Sequence, residues 1–521
     1  MRRIAVIAAS FLLACMPAPS PETSPAPVVA PREPPTITDD ELRRQLFTFA
    51  SDSFRGREAG TPDELRAANF LVDRLRQIGV EPAGDSGYFH RVPLHRQRFG
   101  PQTRLRVVAQ GGSTDIAIGT GLLPLLTVGP GAEPRRRAEG DIVFAGYGVS
   151  MPGVGRNDLA NLDVTNKVVV VINDAPPGAD SAQRSQLNSA QAMAQRLQQF
   201  VGMQPAAIII LLTGEFADEF EGTYVPGLIS QMSATPPAQV TDAQRMLPMI
   251  LIGRRPGAAS PLLPAGWPAD DRAQPLTGRR LEAVLDVVNE RVTSYNVVGR
   301  VRGSDSRLAN SYVAFGAHYD HIGVVPPSGG DSIANGADDD GSGSVALLAI
   351  ARMFQNMSPR PRRSMLFVWH TAEEKGLLGS AHFVQQPTVP LDSIVAMVNA
   401  DMIGRNHPDS IYIVGPGAAP NEQSRVLGTV VDSVNAASRR PFLVNREWDS
   451  PDHPERIYYR SDHYSYAERG VPVVFFTTGL HEDYHRVSDT ADKVDYAKLR
   501  RVSELFVEIG TALGNRPTRP R

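Results

Sequence analysis

Cysteine is almost absent: the chain has one, at position 15, in 521 residues. That excludes an internal disulfide framework and a structural zinc site built on thiolates. A basic excess is also missing. Lys and Arg number 53 against 56 Asp and Glu, a net charge of −3, which argues against a nucleic-acid binder. Long apolar runs are scarce. After Ala14 none reaches the roughly 18 residues of a membrane-spanning helix. What is present is 42% hydrophobic and 21% charged residues, enough to bury a core and too apolar for global disorder. The length suits about three or four domain equivalents, or one large α/β domain with an insert. A metal site in this chain has to use His, Asp and Glu.

Met1-Arg2-Arg3 precedes an apolar stretch from Ile4 to Ala14. This is the charged start and short apolar core of an export signal, too short to span as a mature helix. It ends Leu12-Leu13-Ala14-Cys15, which resembles the lipobox of bacterial lipoproteins. The resemblance implies that Cys15 carries acyl chains and holds the protein on a membrane, facing the periplasm or the cell exterior. After the signal (1–14), residues 15–35 form a Pro/Ala/Ser tether.

Two helices follow. Thr38 to Glu41 and Thr61 to Glu64 both read as capping boxes, the second with Pro62 at the first helical position, and its helix is expected to stop near Gly79. From about residue 96 to 280 short apolar strands take over, among them Ile142–Phe144, Val168–Ile172, Ala207–Leu212 and Met249–Ile252, with a helix from Ala190 to Phe200. No histidine occurs between His95 and His318. The phrases NKVVVVIND and AAIIILL resemble the protease-associated domain, a small β-sandwich-like module found inside peptidases. The divisions expected are 36–95 and 281–515 for one main domain and 96–280 for a β-rich insert.

In 281–515 strand and helix patterns alternate, which predicts an α/β fold with a mostly parallel mixed central sheet flanked by helices. Nine of the eleven histidines lie there. Four segments share one grammar, an apolar strand followed by polar residues: Tyr312 to Asp320, Met365 to Glu374, Ile394 to Asp401, and Val473 to His485. Sites in open α/β sheets lie at the carboxyl ends of strands. If the four are neighbours, His318, Glu373, Glu374, Asp401 and His485 converge. A fifth segment, Asp338-Asp339-Asp340 before the helical pattern of Val345, Leu348 and Met353, adds acids. Two imidazoles and three or more carboxylates exceed one tetrahedral zinc and suit two divalent ions bridged by a carboxylate. Without cations such crowding is costly. In His318-x-Asp320, the second residue suits the role of accepting the other imidazole N–H.

The runs GAHYDHIG, NGADDDGSGSVALL, RSMLFVWHTAEEKGLLGS, VAMVNADMIG, RSDHYSYAERGVPVVFFTTG and HEDYHRVSDTADKVD resemble the co-catalytic zinc exopeptidases, and SDSFRGREAGTPDELRAANFLVDRL resembles the opening of their peptidase domain. The resemblance implies the zinc exopeptidase fold, two Zn²⁺ per chain and peptide substrates. It implies His318 and Glu374 on one zinc, Asp401 and His485 on the other, and Asp338 between them, with a cis peptide at Asp338–Asp339. Glu373 is then the general base and Tyr484 the oxyanion donor. Asp320, Asp339, Asp462 and His463 support these from behind. Asp340-Gly341 departs from the Asn-Ala of many relatives. His321 is read as a supporting residue, and His370, His382, His407, His453 and His481 as ordinary histidines. Lys375 is read as a solvated charge, and Arg405 as either a substrate contact or a partner for an acid.

The function expected is aminopeptidase. A carboxypeptidase or dipeptidase on the same metals and a glutaminyl cyclase-like acyltransferase are the alternatives within enzymes, and a non-catalytic binding protein on the same fold is the alternative outside them.

Overall fold

The computed structural model describes residues 36–119, 121–126, 135–188, 190–214, 217, 228, 230–236, 247–254, 261–263, 271–419 and 422–519. The signal, the tether and Cys15 lie outside the described residues. No helix among the described residues is long and apolar enough to cross a membrane.

Four strands make the centre of the main sheet: Ser364–His370, Tyr312–His318, Ile394–Ala400 and Val473–Thr477, side by side in that order and parallel. Every residue in them is buried. That is why they read as unbroken apolar runs instead of alternating ones: both faces of the sheet are covered. Antiparallel strands extend the sheet on either side. Val287–Val301 and Phe89–Phe99 lie beyond Ser364–His370, and Ser410–Val414, with Leu443–Asn445 parallel to it, lies beyond Val473–Thr477. One face carries Phe315, Phe367 and Trp369 against the helices Asp39–Phe49, Pro62–Ile78, Gly343–Asn356, Glu422–Ala437 and Tyr496–Asn515. The other face packs Leu366, Val368 and Met397 against Phe383 and Tyr466. The fold is mixed α/β, as the alternating pattern predicts.

The two N-terminal helices begin where the caps predict. Thr38 Oγ1 accepts the Glu41 N–H and Thr61 Oγ1 accepts the Glu64 N–H. Neither box closes, because both glutamates have other partners. Glu41 pairs with Arg352, and Glu64 turns inward to Gly60 N, Ser294 and Thr371. The second helix stops at Gly79, which adopts the left-handed conformation at φ 80°.

A second sheet of eight strands occupies most of 104–284. Arg137–Phe144, Val168–Asn173, Ala207–Leu212 and Met249–Arg254 are parallel neighbours, and the strands outside them are antiparallel. Alternate side chains feed two cores: Val168, Val170 and Ile172 on one face, Val169, Val171 and Phe200 on the other. Phe200 comes from the helix Ala190–Gly202. The segment is thus a mixed sheet with helical cover. The expected boundaries at 96 and 280 fall inside strands Phe89–Phe99 and Gln274–Val284, and the chain passes between the two sheets at 100–103 and 285–286. Ser230–Ser233 leaves the second sheet's territory and pairs with Arg98 to His95 at the edge of the main sheet.

Candidate metal centre

His318 ends its strand, level with His370 on the neighbouring one. Its Nδ1 lies 3.1 Å from the main-chain oxygen of Asp320. With Nδ1–H donating there, Nε2 presents its lone pair to the cleft. Nε2 stands 3.2 Å from Asp339 Oδ1, 3.6 Å from Asp401 Oδ1 and 3.9 Å from Glu373 Oε2. Asp320 therefore orients the imidazole through its carbonyl. Its carboxylate is 3.8 Å away and accepts the Glu373 N–H at 3.1 Å instead.

The acid triplet is buried throughout, and its three carboxylates point three ways. Asp339 faces the cleft: Oδ1 is 3.2 Å from His318 Nε2 and Oδ2 is 3.2 Å from His485 Nε2. Asp340 binds main chain, accepting from His318 N, Gly343 N and Met402 N. Asp338 turns away, accepting Gly404 N at 2.7 Å and lying 3.3 Å from His481 Nε2. The position expected of Asp338 is thus held by Asp339. The cis peptide lies one residue later than expected as well, at Asp339–Asp340. Gly336 opens this loop at φ 56°, where an added Cβ would come within 2.3 Å of the Asp339 carbonyl oxygen.

Glu373 and Glu374 follow Ala372, a non-glycine residue at φ 52° that turns the chain into the cleft. Glu374 Oε2 is 2.9 Å from His485 Nε2, and Oε1 accepts from His321 Nδ1 at 2.7 Å. The pairs are therefore His318 with Asp401 and His485 with Glu374, not the crossed pairs of the sequence reading. Asp339 touches both. Donor atoms of His318, Asp339 and Asp401 lie within 4.8 Å of one another, and so do those of His321, Asp339 and Glu374.

Charge explains why these groups invite cations. Burial pushes the Glu373 carboxyl well above its usual range, against the pull of His318. Glu374 resists burial because His485 holds it down, to about 2, and His485 is pushed up in turn to about 10. Asp339 Oδ2 and His485 Nδ1 are buried and have no hydrogen-bond partner. Imidazole nitrogen and carboxylate oxygen, without thiolate, form a donor set that fits zinc.

The centre lines an open cleft. Part of its wall is apolar: Met402, Trp448, Ile457, Phe475 and Leu480. Trp448 stacks on Tyr412 with ring centroids 4.1 Å apart. The Tyr484 ring stacks on His485 at 3.9 Å, and its hydroxyl accepts a hydrogen bond from Arg460 Nη2 at 3.1 Å. Asp462 and His463 sit behind this wall, fully buried. Burial pushes Asp462 up to about 7 and His463 down to about 3, and the imidazole stacks on Phe475 at 4.6 Å.

Several side chains stand where the sequence reading did not place them. Lys375 is not solvated: its side chain is 2% exposed and donates to Glu58 Oε1 and to the Ser230 carbonyl. Arg405, by contrast, takes one of the two roles read for it, as a partner for an acid: it pairs with Asp483 at 2.8 Å. His481 is engaged with Asp338, and Asp489, unforeseen, accepts the N–H groups of both Asp338 and Asp339. Burial and nearby Asp338 push Asp489 up to about 6. Its signal was the run Ser488-Asp489-Thr490 just past His485, where an acid beside a ligand invites a supporting role.

Residues 296–510 match peptidase family M28. Leucine aminopeptidase 2 of Trichophyton rubrum is 26% identical over 273 residues, covering 46% of this chain and 50% of that protein. The chain thus spans about half the length of the curated relatives it first matches. Among solved structures, an aminopeptidase from Aneurinibacillus sp. strain AM-1 superposes with a TM-score of 0.54 at 17% identity, covering 93% of this chain and 95% of that one. A zinc aminopeptidase from Bacillus subtilis superposes with a TM-score of 0.52 at 17% identity, covering 92% and 95%. The likeness of fold therefore runs through the second sheet as well as the first. The segment that matches peptidase family M28, residues 296–510, thus holds all the ionisable groups that line the cleft.

Proposed function

We propose that the chain is a di-zinc aminopeptidase that removes N-terminal residues from peptides. The observation that carries this reading is one carboxylate, Asp339, shared by two imidazole–carboxylate pairs with Glu373 beside them. His318, Asp401 and Asp339 would hold one ion, and His485, Glu374 and Asp339 the other. Zinc bound there supplies Lewis-acid polarisation of the scissile carbonyl and a water acidified towards neutral pH.

The chain's own groups do the rest. Glu373, its carboxyl raised by burial, takes the water proton and returns it to the leaving amine. Tyr484 donates its O–H to the oxygen that gains charge as the carbonyl becomes tetrahedral. The substrate amine lies against Glu373 and Asp401, and the first side chain enters the apolar wall around Trp448, Phe475 and Leu480. Such a wall suits leucine and other large apolar residues, and relatives named leucine aminopeptidase support this choice.

Arg460 favours a second reading. It is a guanidinium in the cleft lining, 3.6 Å from Glu455, and would exchange that pair for the substrate carboxylate that a dipeptidase or carboxypeptidase binds. N-acetylation of the substrate separates the two: it abolishes aminopeptidase cleavage and spares a carboxypeptidase.

We further propose that Cys15 carries a lipid anchor with 15–35 as its tether, and that residues 100–286 serve as a protease-associated module. The main test is release of nitroaniline from leucyl-nitroanilide with metal content measured alongside. Full activity in Glu373→Gln, or after chelation of all metal, overturns the mechanism.

A further inference from the structure

Arg57 belongs to the phrase that opens the peptidase domain, and the catalytic reading gives it no task. It is wholly buried. Nε donates to the Tyr319 carbonyl at 2.8 Å, Nη1 to the Asn335 carbonyl at 2.6 Å and the Phe49 carbonyl at 3.3 Å, and Nη2 to the Gly336 carbonyl at 2.8 Å. Tyr319 directly follows His318. Asn335 and Gly336 begin the loop that ends in Asp339. One planar fork therefore joins the two segments whose side chains face each other across the centre.

The backbone around it serves the same contact. Arg55, Gly56 and Arg57 all have positive φ, an unfavourable run for two arginines. At Gly56 a Cβ would come within 2.5 Å of the Ala334 oxygen and 2.6 Å of the Gly323 oxygen, so the turn lies flat on both segments. Gly323 N donates to Gly56 O, and His321 N donates to Arg57 O at 3.3 Å. Burial lowers the guanidinium to about 10, with Asp320, Asp339 and Asp489 opposing that shift, so it stays charged at neutral pH. A buried cation hydrogen-bonded only to carbonyls, its one further contact the Phe49 ring at 4.7 Å, is costly, and here its charge is opposed by nearby acids of the centre that it does not hydrogen-bond.

We propose that Arg57 is a positioning residue for the metal pair, setting the separation of His318 and Asp339 from behind by pinning the carbonyls of Tyr319, Asn335 and Gly336. The proposal rests on the di-metal reading above. Lysine keeps the charge and loses the fork, and methionine loses both.

The test loads the full chain with Co²⁺ and records its visible absorption, with metal affinity measured by chelator competition. Arg57→Lys and Arg57→Met are compared with wild type and with Phe506→Leu, a core substitution away from these carbonyls. Both Arg57 variants should shift the cobalt bands and weaken binding about tenfold or more, the loss typical of groups that orient ligands. Phe506→Leu should lower the melting temperature and leave the bands in place. Wild-type bands and affinity in both Arg57 variants overturn the proposal, as does an equal band shift in Phe506→Leu. Hydrogen exchange on the wild-type chain, which needs no variant to fold, gives a second test. Metal loading should protect residues 52–58 together with 319–323 and 333–340, and no protection at 52–58 overturns the proposal. A wild-type chain that binds no Co²⁺ at all fails the di-metal reading instead, a result distinct from either.

Discussion

His318 and His485 meet across a single carboxylate: each imidazole Nε2 lies 3.2 Å from a different oxygen of Asp339. Neighbouring Asp338 has the same side chain and is engaged elsewhere, by Gly404 N and His481. The two acids should therefore differ sharply on substitution. Asp338→Asn should weaken metal binding by about 10–100-fold, the usual cost of losing an outer partner. Asp339→Asn should cost more than that and lower the number of ions held per chain. Elemental analysis after dialysis against graded chelator reads both, and equal losses would contradict the geometry.

In the proposed mechanism, Glu373→Gln removes the proton acceptor while leaving the proposed metal donors in place. The expected loss is about 10²–10⁴ in kcat, the range for general acid–base groups, with KM and metal content little changed. Steady-state kinetics on leucyl-nitroanilide would show it. A loss carried by KM alone would point to a binding role for Glu373.

Trp448→Ala opens the apolar wall and leaves Tyr412 without its stacking partner. Hydrophobic pockets discriminate by about 1–3 kcal/mol per feature, so kcat/KM for leucyl substrates should fall about tenfold or more. Alanyl substrates should lose much less. A uniform loss across side chains would place Trp448 outside the pocket that reads the first residue.

Glu64 gives a pH dependence away from the metals. Burial pushes its carboxyl from 4.5 up to about 7, against hydrogen bonds from Ser294, Thr371 and Gly60 N. A raised carboxyl binds its proton more tightly in the folded chain. Its stabilising contribution is therefore full below about pH 4.5 and lost as pH rises to about 7, a swing of about 3 kcal/mol. Glu64→Gln should flatten that slope, so the variant gains on wild type between pH 5 and pH 8. Paired unfolding curves at the two pH values check the sign, and a constant difference would refute it.

The central strands and the residues at their ends were legible because each signal is local. Tyr312–His318 is a buried apolar run that stops at a polar residue, and so is Ile394–Ala400 before Asp401. The order of donors within the centre was not legible, for two physical reasons. Three identical acids in a row offer no chemical difference, and which one faces the cleft depends on the Gly336 turn and on Asp489 holding two N–H groups. Pairing of His318 with Asp401 instead of Glu374 follows from distances between separate strand ends, which no spacing along the chain encodes. Lys375 looked solvated because its partners, Glu58 and Ser230, are far away in sequence. Trp448 came from a turn and Ile457 from a single 3-10 turn, neither with a periodic pattern to place it.

Ser230–Ser233 ties the two sheets together more closely than a linker would. It caps the outer edge of the main sheet, and its first carbonyl takes a hydrogen bond from the lysine that follows Glu373 and Glu374. Excising residues 100–286 to obtain a smaller enzyme would therefore bare a strand edge and loosen the loop bearing Glu373 and Glu374. A shortened enzyme that keeps its rate would need a replacement for that one short strand.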